Sequence, residues 1–217
     1  MGGTKGLTTQ FHPCVIPSIR DKNVTEPAFP PPRTTMRHLP PPGLRDRLYR
    51  MGWNLVQATL FRWSPVPLHA WRRCLLRWFG ARIEGGTAIY PTARIWAPDR
   101  LTMRQGSCLG SGADCYNVAP VELGRACVVS QKAYLCTASH DIDDPAFTLI
   151  GAPIVVGEGA WVAAGAFVGP GVDIGIRAVV AAVAVVTRNV PSEHVVAGNP
   201  ARMVRERRVS SQPSVEK

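Results

Sequence analysis

The sequence contains no Cys-x-x-Cys pair, no long charge-free apolar stretch, and no apolar run within its first thirty residues. Each absence excludes something. The six cysteines (Cys14, Cys74, Cys108, Cys115, Cys127 and Cys136) lack metal-ligand spacing, so reduced and mostly buried thiols are expected and no metal site. A bilayer-spanning helix needs roughly 18–20 consecutive apolar residues, so none is predicted. No signal peptide is read at the start, and the expected location is the cytoplasm. Acidic residues are scarce at both ends: residues 1–82 carry 13 basic and 3 acidic side chains, and residues 201–217 carry 5 and 2. Residues 83–200 reverse the balance with 7 and 10. The net charge of +10 therefore sits at the ends and suits a phosphate ligand or an anionic surface. No nucleic-acid partner is expected.

What is present divides the 217 residues into four parts. Residues 1–42 hold 9 of the 20 prolines, with "PPP" twice, and predict a disordered or extended arm. Residues 43–82 form an amphipathic helical leader. Its apolar residues Leu48, Met51, Leu55, Phe61, Trp71, Leu75 and Trp78 suggest two short helices, broken at Pro65 and Pro67. Packing of these helices on the main domain is the favoured expectation; contact with the inner membrane surface is the alternative that the arginines and tryptophans suggest. Residues 83–200 carry a repeat, and residues 201–217 form a basic C-terminal extension.

The repeat has a period of six. Ile83, Ile89, Ile95 and Leu101 stand six apart; after a two-residue slip come Leu109 and Cys115; after another, Leu123, Val129 and Leu135. Following an interruption, Val156, Val162, Val168, Ile174, Val180 and Val186 keep strict time. Four residues beyond each of these six stand Ala160, Ala166, Val172, Ala178, Ala184 and Val190, all small or β-branched. A helix repeats near 3.6 and a flat sheet every two residues, so neither fits. A solenoid of very short strands does, with the aliphatic residue stacked inside and the small one at the corner. Three hexapeptides close one triangular coil, and the tract makes about five coils. The predicted fold is all-β, a parallel β-helix preceded by helices.

Four stretches then carry a resemblance: "CYNVAPVELG", "AYLCTASHD", "PIVVGEGAWVAAGAFVGPGVDIG" and "VVAGNPARMVRER". Over about residues 83–208 the chain resembles the hexapeptide-repeat acyltransferases. Within them it is most similar to the colanic acid biosynthesis acetyltransferases of the galactoside and maltose acetyltransferase group. The leader ending "WRRCLLRWFGARI" resembles that subfamily as well. The resemblance implies a left-handed β-helix, a homotrimer, acetyl-CoA as co-substrate and a saccharide or lipid-linked saccharide as acceptor.

The interruption "CTASHDIDDPAF" is where the resemblance places the catalytic residue. His140 is expected as general base, because neutral imidazole suits removal of a hydroxyl proton at cytoplasmic pH. Ser139 is a candidate oxyanion donor, and Asp141 and Asp143, with Asp144 and Asp114 nearby, are candidates to orient the ring; a backbone carbonyl would serve equally. The resemblance implies Asn117 as an acceptor contact; Tyr116 is a candidate to stack on a sugar ring, with plain packing as the alternative. Trp161, Ala164, Ala182 and Thr187 are implied along the pantetheine arm, and Arg188, Arg202 and Arg205 near the phosphates of the coenzyme. The expected activity is O-acetylation of a sugar hydroxyl in exopolysaccharide or other surface-glycan synthesis. An antibiotic or other small hydroxyl or amine acceptor is the alternative on the same site, and a non-catalytic trimeric scaffold the alternative of another class. A carbonic anhydrase of γ type is excluded, since the repeat offers only His140 and His194 where three zinc-binding histidines are needed. The leader is too short for the helical domain of a serine acetyltransferase.

Overall fold

The computed structural model describes residues 35–40 and 43–208; the sequence reading of residues 1–34 and 209–217 lies outside the described residues. From Arg82 onward the chain winds as a three-sided coil of strands mostly two or three residues long. Two faces are five-stranded parallel sheets, and the third has seven strands, the last of them, Arg202–Glu206, antiparallel to His194–Ala197.

The register shows why six is the period. Ile83, Met103, Leu123, Val156, Ile174 and Val190 stack in one inner column. Ile89, Leu109, Val129, Val162, Val180 and Val196 make the second. Ile95, Cys115, Leu135, Val168 and Val186 make the third. All are buried, as are the corner residues Ala93, Ala113, Ala133, Ala160, Ala166, Ala178 and Ala184. The stack under Ile83 is Met103, two positions beyond a buried Leu101, so the first slip lies before Leu101 rather than after it. Burial pushes the thiol of Cys127 up to about 12 and that of Cys115 higher still; such thiols are inert core residues.

At one corner the coils meet almost without clearance. A Cβ on Gly157 would stand 2.7 Å from the carbonyl carbon of Gly175, and one on Gly124 would stand 2.7 Å from the oxygen of Val156. Only glycine lets these backbones stack.

Every departure from the period falls at a single corner, between the third column and the first. Eight residues separate Ile95 from Met103 and Cys115 from Leu123, four separate Val186 from Val190, and Leu135 is followed by the long excursion that ends at Val156. The excursion is not a featureless loop. Ala138–His140 and Leu149–Gly151 pair antiparallel, and Arg37–His38 of the N-terminal arm adds a third strand.

The leader closes the open end of the solenoid. Its helices, α1 (Leu44–Val56), extended by a wide turn at Gln57–Phe61, and α2 (His69–Trp78), bury Trp53, Phe61, Leu75 and Leu76 against the first coil. That coil would otherwise leave an unpaired ladder edge. Trp53 Nε1 donates to the Ile95 carbonyl at 2.7 Å, and Ile95 N–H donates to Gln57 Oε1 at 2.8 Å. Ile89 N–H donates to His69 Nδ1 at 3.1 Å, while Arg72 Nε donates to the Ile89 carbonyl at 2.5 Å. Arg77 Nε donates to the Ile83 carbonyl at 2.9 Å. The fully buried Arg72 also donates to Ser64 Oγ and to the carbonyls of Pro65 and Val66.

Two outcomes follow. Arg72→Met strands these acceptors without a donor and should lower the unfolding free energy by about 3 kcal/mol, read from denaturant titration. Gly157→Ala forces two backbones apart and should cost about 2–4 kcal/mol in the same titration, with the α-helical signal unchanged below the transition.

Candidate active site

The excursion holds His140 by geometry that the repeat cannot supply. Its Nδ1 lies 2.7 Å from the Phe147 carbonyl oxygen, and the two rings stack at 4.2 Å and 7°. A carbonyl only accepts, so in the neutral ring the proton resides on Nδ1 and the lone pair on Nε2. Phe147 is left-handed at φ 49°, an uncommon conformation for a bulky side chain. The tight return of the chain fixes it, with Phe147 N–H donating to the Asp144 carbonyl at 2.8 Å.

The neighbouring aspartates shape this turn. Asp141 Oδ1 accepts from the Asp143 amide at 3.1 Å, and Asp144 accepts from the Ala146 amide and the Thr148 hydroxyl. Those bonds, led by the Thr148 hydroxyl, hold the Asp144 carboxyl below its ordinary range. The partner of His140 Nδ1 is therefore the Phe147 carbonyl, while the Asp141 carboxylate is turned to the Asp143 amide. Asp114 lies on another face, 3.7 Å from Arg94, with its carboxyl pushed up by burial. Ser139 is exposed beside His140 on the same strand.

Three of the expected coenzyme contacts, together with Arg205, line one open groove of about 570 Å³ on the seven-stranded face: Trp161, Ala164 and Ala182. The small side chains of Ala163 and Ala181 widen the same floor, and Trp161 is held upright by its Nε1–H donating to Ser130 Oγ at 2.8 Å. Thr187, Arg188 and Arg202 lie apart from it, in a hollow of about 110 Å³ with Pro200 and Ala201. Arg207 and Arg208 line the larger groove as well; the sequence marked them only as part of a basic run. His140 lines neither cavity.

A third cavity, about 450 Å³, opens at the irregular corner beside the excursion. Leu149, the cross-strand partner of His140, lines it, along with Tyr116, Trp96, Arg100, and Asp46 and Arg50 of α1. Trp96 and Tyr116 meet edge to face at 4.9 Å, and the Arg50 guanidinium lies 4.8 Å over the Trp96 ring. Asp46 accepts from Arg50 at 2.9 Å and from Arg100 at 3.1 Å. An aromatic wall beside hydrogen-bonding charges suits a sugar, which has apolar faces and a polar rim. Trp96 and Tyr116 hold equivalent places, each directly following an inner residue, Ile95 and Cys115, though only Tyr116 stands among the sequence candidates.

Asn117 is not part of this wall. It is completely buried, accepting from Ala97 N–H at 3.0 Å and donating to the Ala97 carbonyl at 2.6 Å. Its amide ties two coils together. Among the described residues no cluster of three or more His, Cys, Asp or Glu side chains is arranged to hold a metal ion.

No protein-family model matches the chain. A curated relative does. The Escherichia coli K12 protein named as colanic acid biosynthesis acetyltransferase WcaF is 44% identical over 155 residues, covering 71% of this chain and 85% of that one. The chain belongs to the colanic acid biosynthesis acetyltransferase family. This acetyltransferase shares its fold with two solved structures. The hexapeptide-repeat acetyltransferase VCA0836 of Vibrio cholerae, complexed with acetyl coenzyme A, matches at a TM-score of 0.70 and 24% identity, over 80% of this chain and 94% of that one. A galactoside acetyltransferase in complex with coenzyme A matches at 0.66 and 19%, over 74% and 81%. The shared fold is the left-handed parallel β-helix.

In this acetyltransferase Asn117 should behave as a structural residue. Asn117→Ala should cost about 1–3 kcal/mol of stability, measured by chemical denaturation, because it strands the Ala97 amide and carbonyl. Acceptor KM, measured at a temperature where the variant is folded, should change less than about twofold. A rise in KM without loss of stability contradicts this assignment.

Proposed function

We propose that the protein transfers the acetyl group of acetyl-CoA to a sugar hydroxyl in the synthesis of an exopolysaccharide or other surface glycan, in the cytoplasm and as a homotrimer. The observation that carries the reading is the Nδ1 contact of His140 to the Phe147 carbonyl, which leaves Nε2 basic. The family relationship supports acetyl transfer. The named pathway of the Escherichia coli relative and the coenzyme complexes of the two solved structures support the acceptor class and the co-substrate.

The acceptor hydroxyl attacks the thioester carbonyl as its proton passes to His140 Nε2, forming a tetrahedral oxyanion. The Phe147 carbonyl stabilises the imidazolium through Nδ1–H. A backbone N–H or the exposed Ser139 hydroxyl would donate to the oxyanion. Collapse breaks the carbon–sulfur bond, and the proton on Nε2 goes to the departing thiolate, so histidine returns neutral. Trp161, Ala164 and Ala182 would receive the pantetheine arm, and Arg205 with Arg188 and Arg202 the phosphates; the corner cavity beside Tyr116 would receive the sugar. His140 lines neither coenzyme cavity of its own chain, which supports a reaction between subunits, with the excursion of one reaching the groove of the next.

The test is acceptor-dependent release of thiol from acetyl-CoA across a panel of sugars and lipid-linked sugars. His140→Ala should lower kcat by about 10²–10⁴-fold with acetyl-CoA affinity retained. Phe147→Ala, which keeps the carbonyl but removes the stacked ring, should lower kcat by about tenfold with KM little changed. Release that survives in His140→Ala, or that no saccharide stimulates, contradicts the proposal.

A further inference from the structure

Helix α1 has apolar residues on two opposite sides, and the cap on the solenoid uses only one. Trp53 is fully buried toward the coil. On the other side Leu44, Leu48, Met51 and Leu55 recur at the four-three-four spacing of a single helical stripe, and all are exposed, Leu44 at 73%, Met51 at 64% and Leu55 at 66%. The connection to α2 adds Leu60, Trp63 at 81%, Val66 and Leu68, and α2 adds Trp71 and Trp78, the latter at 73%. So many exposed large apolar side chains on one short segment mark a contact surface.

The charge around it has one sign. Between residues 35 and 82 there are nine arginines and a single acidic residue, Asp46, which is engaged by Arg50 and Arg100. By helical spacing Arg45 and Arg47 flank the α1 stripe on either side, and Arg62 adjoins Trp63; all three are exposed. The β-helix behind this surface is net acidic, with 7 basic and 10 acidic side chains in residues 83–200. Leucines and tryptophans framed by arginines match the boundary of an anionic bilayer, where the rings sit at headgroup depth and the guanidinium groups meet phosphate. A second copy of the chain fits less well. The stripe lasts two heptads, shorter than the three or four that a coiled coil needs, and copies would bring arginine against arginine.

We propose that the outer face of the leader is a peripheral binding surface for an anionic lipid bilayer, and that it holds the corner cavity at the membrane. Asp46 and Arg50, which line that cavity, lie on the same helix as the exposed stripe, and a helix is only about 10–12 Å across. A sugar carried on a lipid anchor in the bilayer reaches the cavity directly, whereas a free sugar gains nothing from the surface. This part rests on the acceptor class given under Proposed function.

The test uses the full-length protein and sedimentation with vesicles of phosphatidylcholine alone or containing phosphatidylglycerol. Binding should be at least about tenfold stronger to the anionic vesicles and should fall as salt rises. Leu48→Glu, Met51→Glu and Leu55→Glu combined should reduce it about tenfold or more, with the thermal transition and thiol release toward a soluble saccharide unchanged. A separate Trp63→Ser, Trp78→Ser variant should also reduce it. Equal binding by wild type and both variants, or none to anionic vesicles at low salt, overturns the proposal. So does a triple variant that changes oligomeric state in sedimentation velocity, which assigns the stripe to another copy of the chain. Vesicle binding without transfer to any acceptor retains the surface and refutes the function; transfer without vesicle binding does the reverse.

Discussion

The structure depends on coil-to-coil register. Each coil hydrogen-bonds to the one before and the one after, and three inner columns must return to the same place on every turn. Extra residues inserted on a face would shift everything stacked above it. They are tolerated at a corner, and here all of them use one corner: the additions after Ile95 and Cys115, and the excursion after Leu135. The irregular corner is consequently the one place where the chain gathers side chains that the core does not claim. Trp96, Tyr116, Arg100 and the strand of His140 all leave the coil there.

The same constraint explains the leader. A solenoid begins with an open ladder edge, and the backbone groups of Ile83, Ile89 and Ile95 find their partners in Arg77, Arg72, His69, Gln57 and Trp53. Arginine serves well at such a position, since one guanidinium reaches several carbonyls. Capping accounts for the inner face of the helices but not for the outer one. A helix required only as a cap has no physical reason to display leucine, methionine and tryptophan to water, and that surplus suits the proposed bilayer contact.

Much of the fold was legible because stacking filters the inner positions to aliphatics and the corners to small residues. The period of six survives in the sequence wherever the coil is regular. Leu101 was assigned the wrong phase because Leu101 and Met103 are both apolar and both buried, so the slip has two readings until the register with Ile83 is seen. The site was legible in part. A histidine in a broken repeat stands out, but the carbonyl that aims it does not, since Phe147 acts through its backbone at a positive φ that no side chain announces. Asn117 carries a chemical ambiguity: an amide that clamps a buried loop and an amide that binds a sugar carry the same donors and acceptors, and burial alone separates them. Arg50 and Asp46 were hidden by distance along the chain, since α1 meets the corner only after folding.

The central claim is that the corner excursion of one subunit completes the coenzyme groove of another. A crystal structure of the full-length protein with coenzyme A tests it most directly. The expected result is a closed trimer in which the thiol end lies beside Trp161, and His140 Nε2 of the neighbouring subunit stands within about 4 Å of the sulfur. Coenzyme bound away from Trp161, Ala164 and Ala182, or a His140 more than about 8 Å from the sulfur in every subunit, would contradict it.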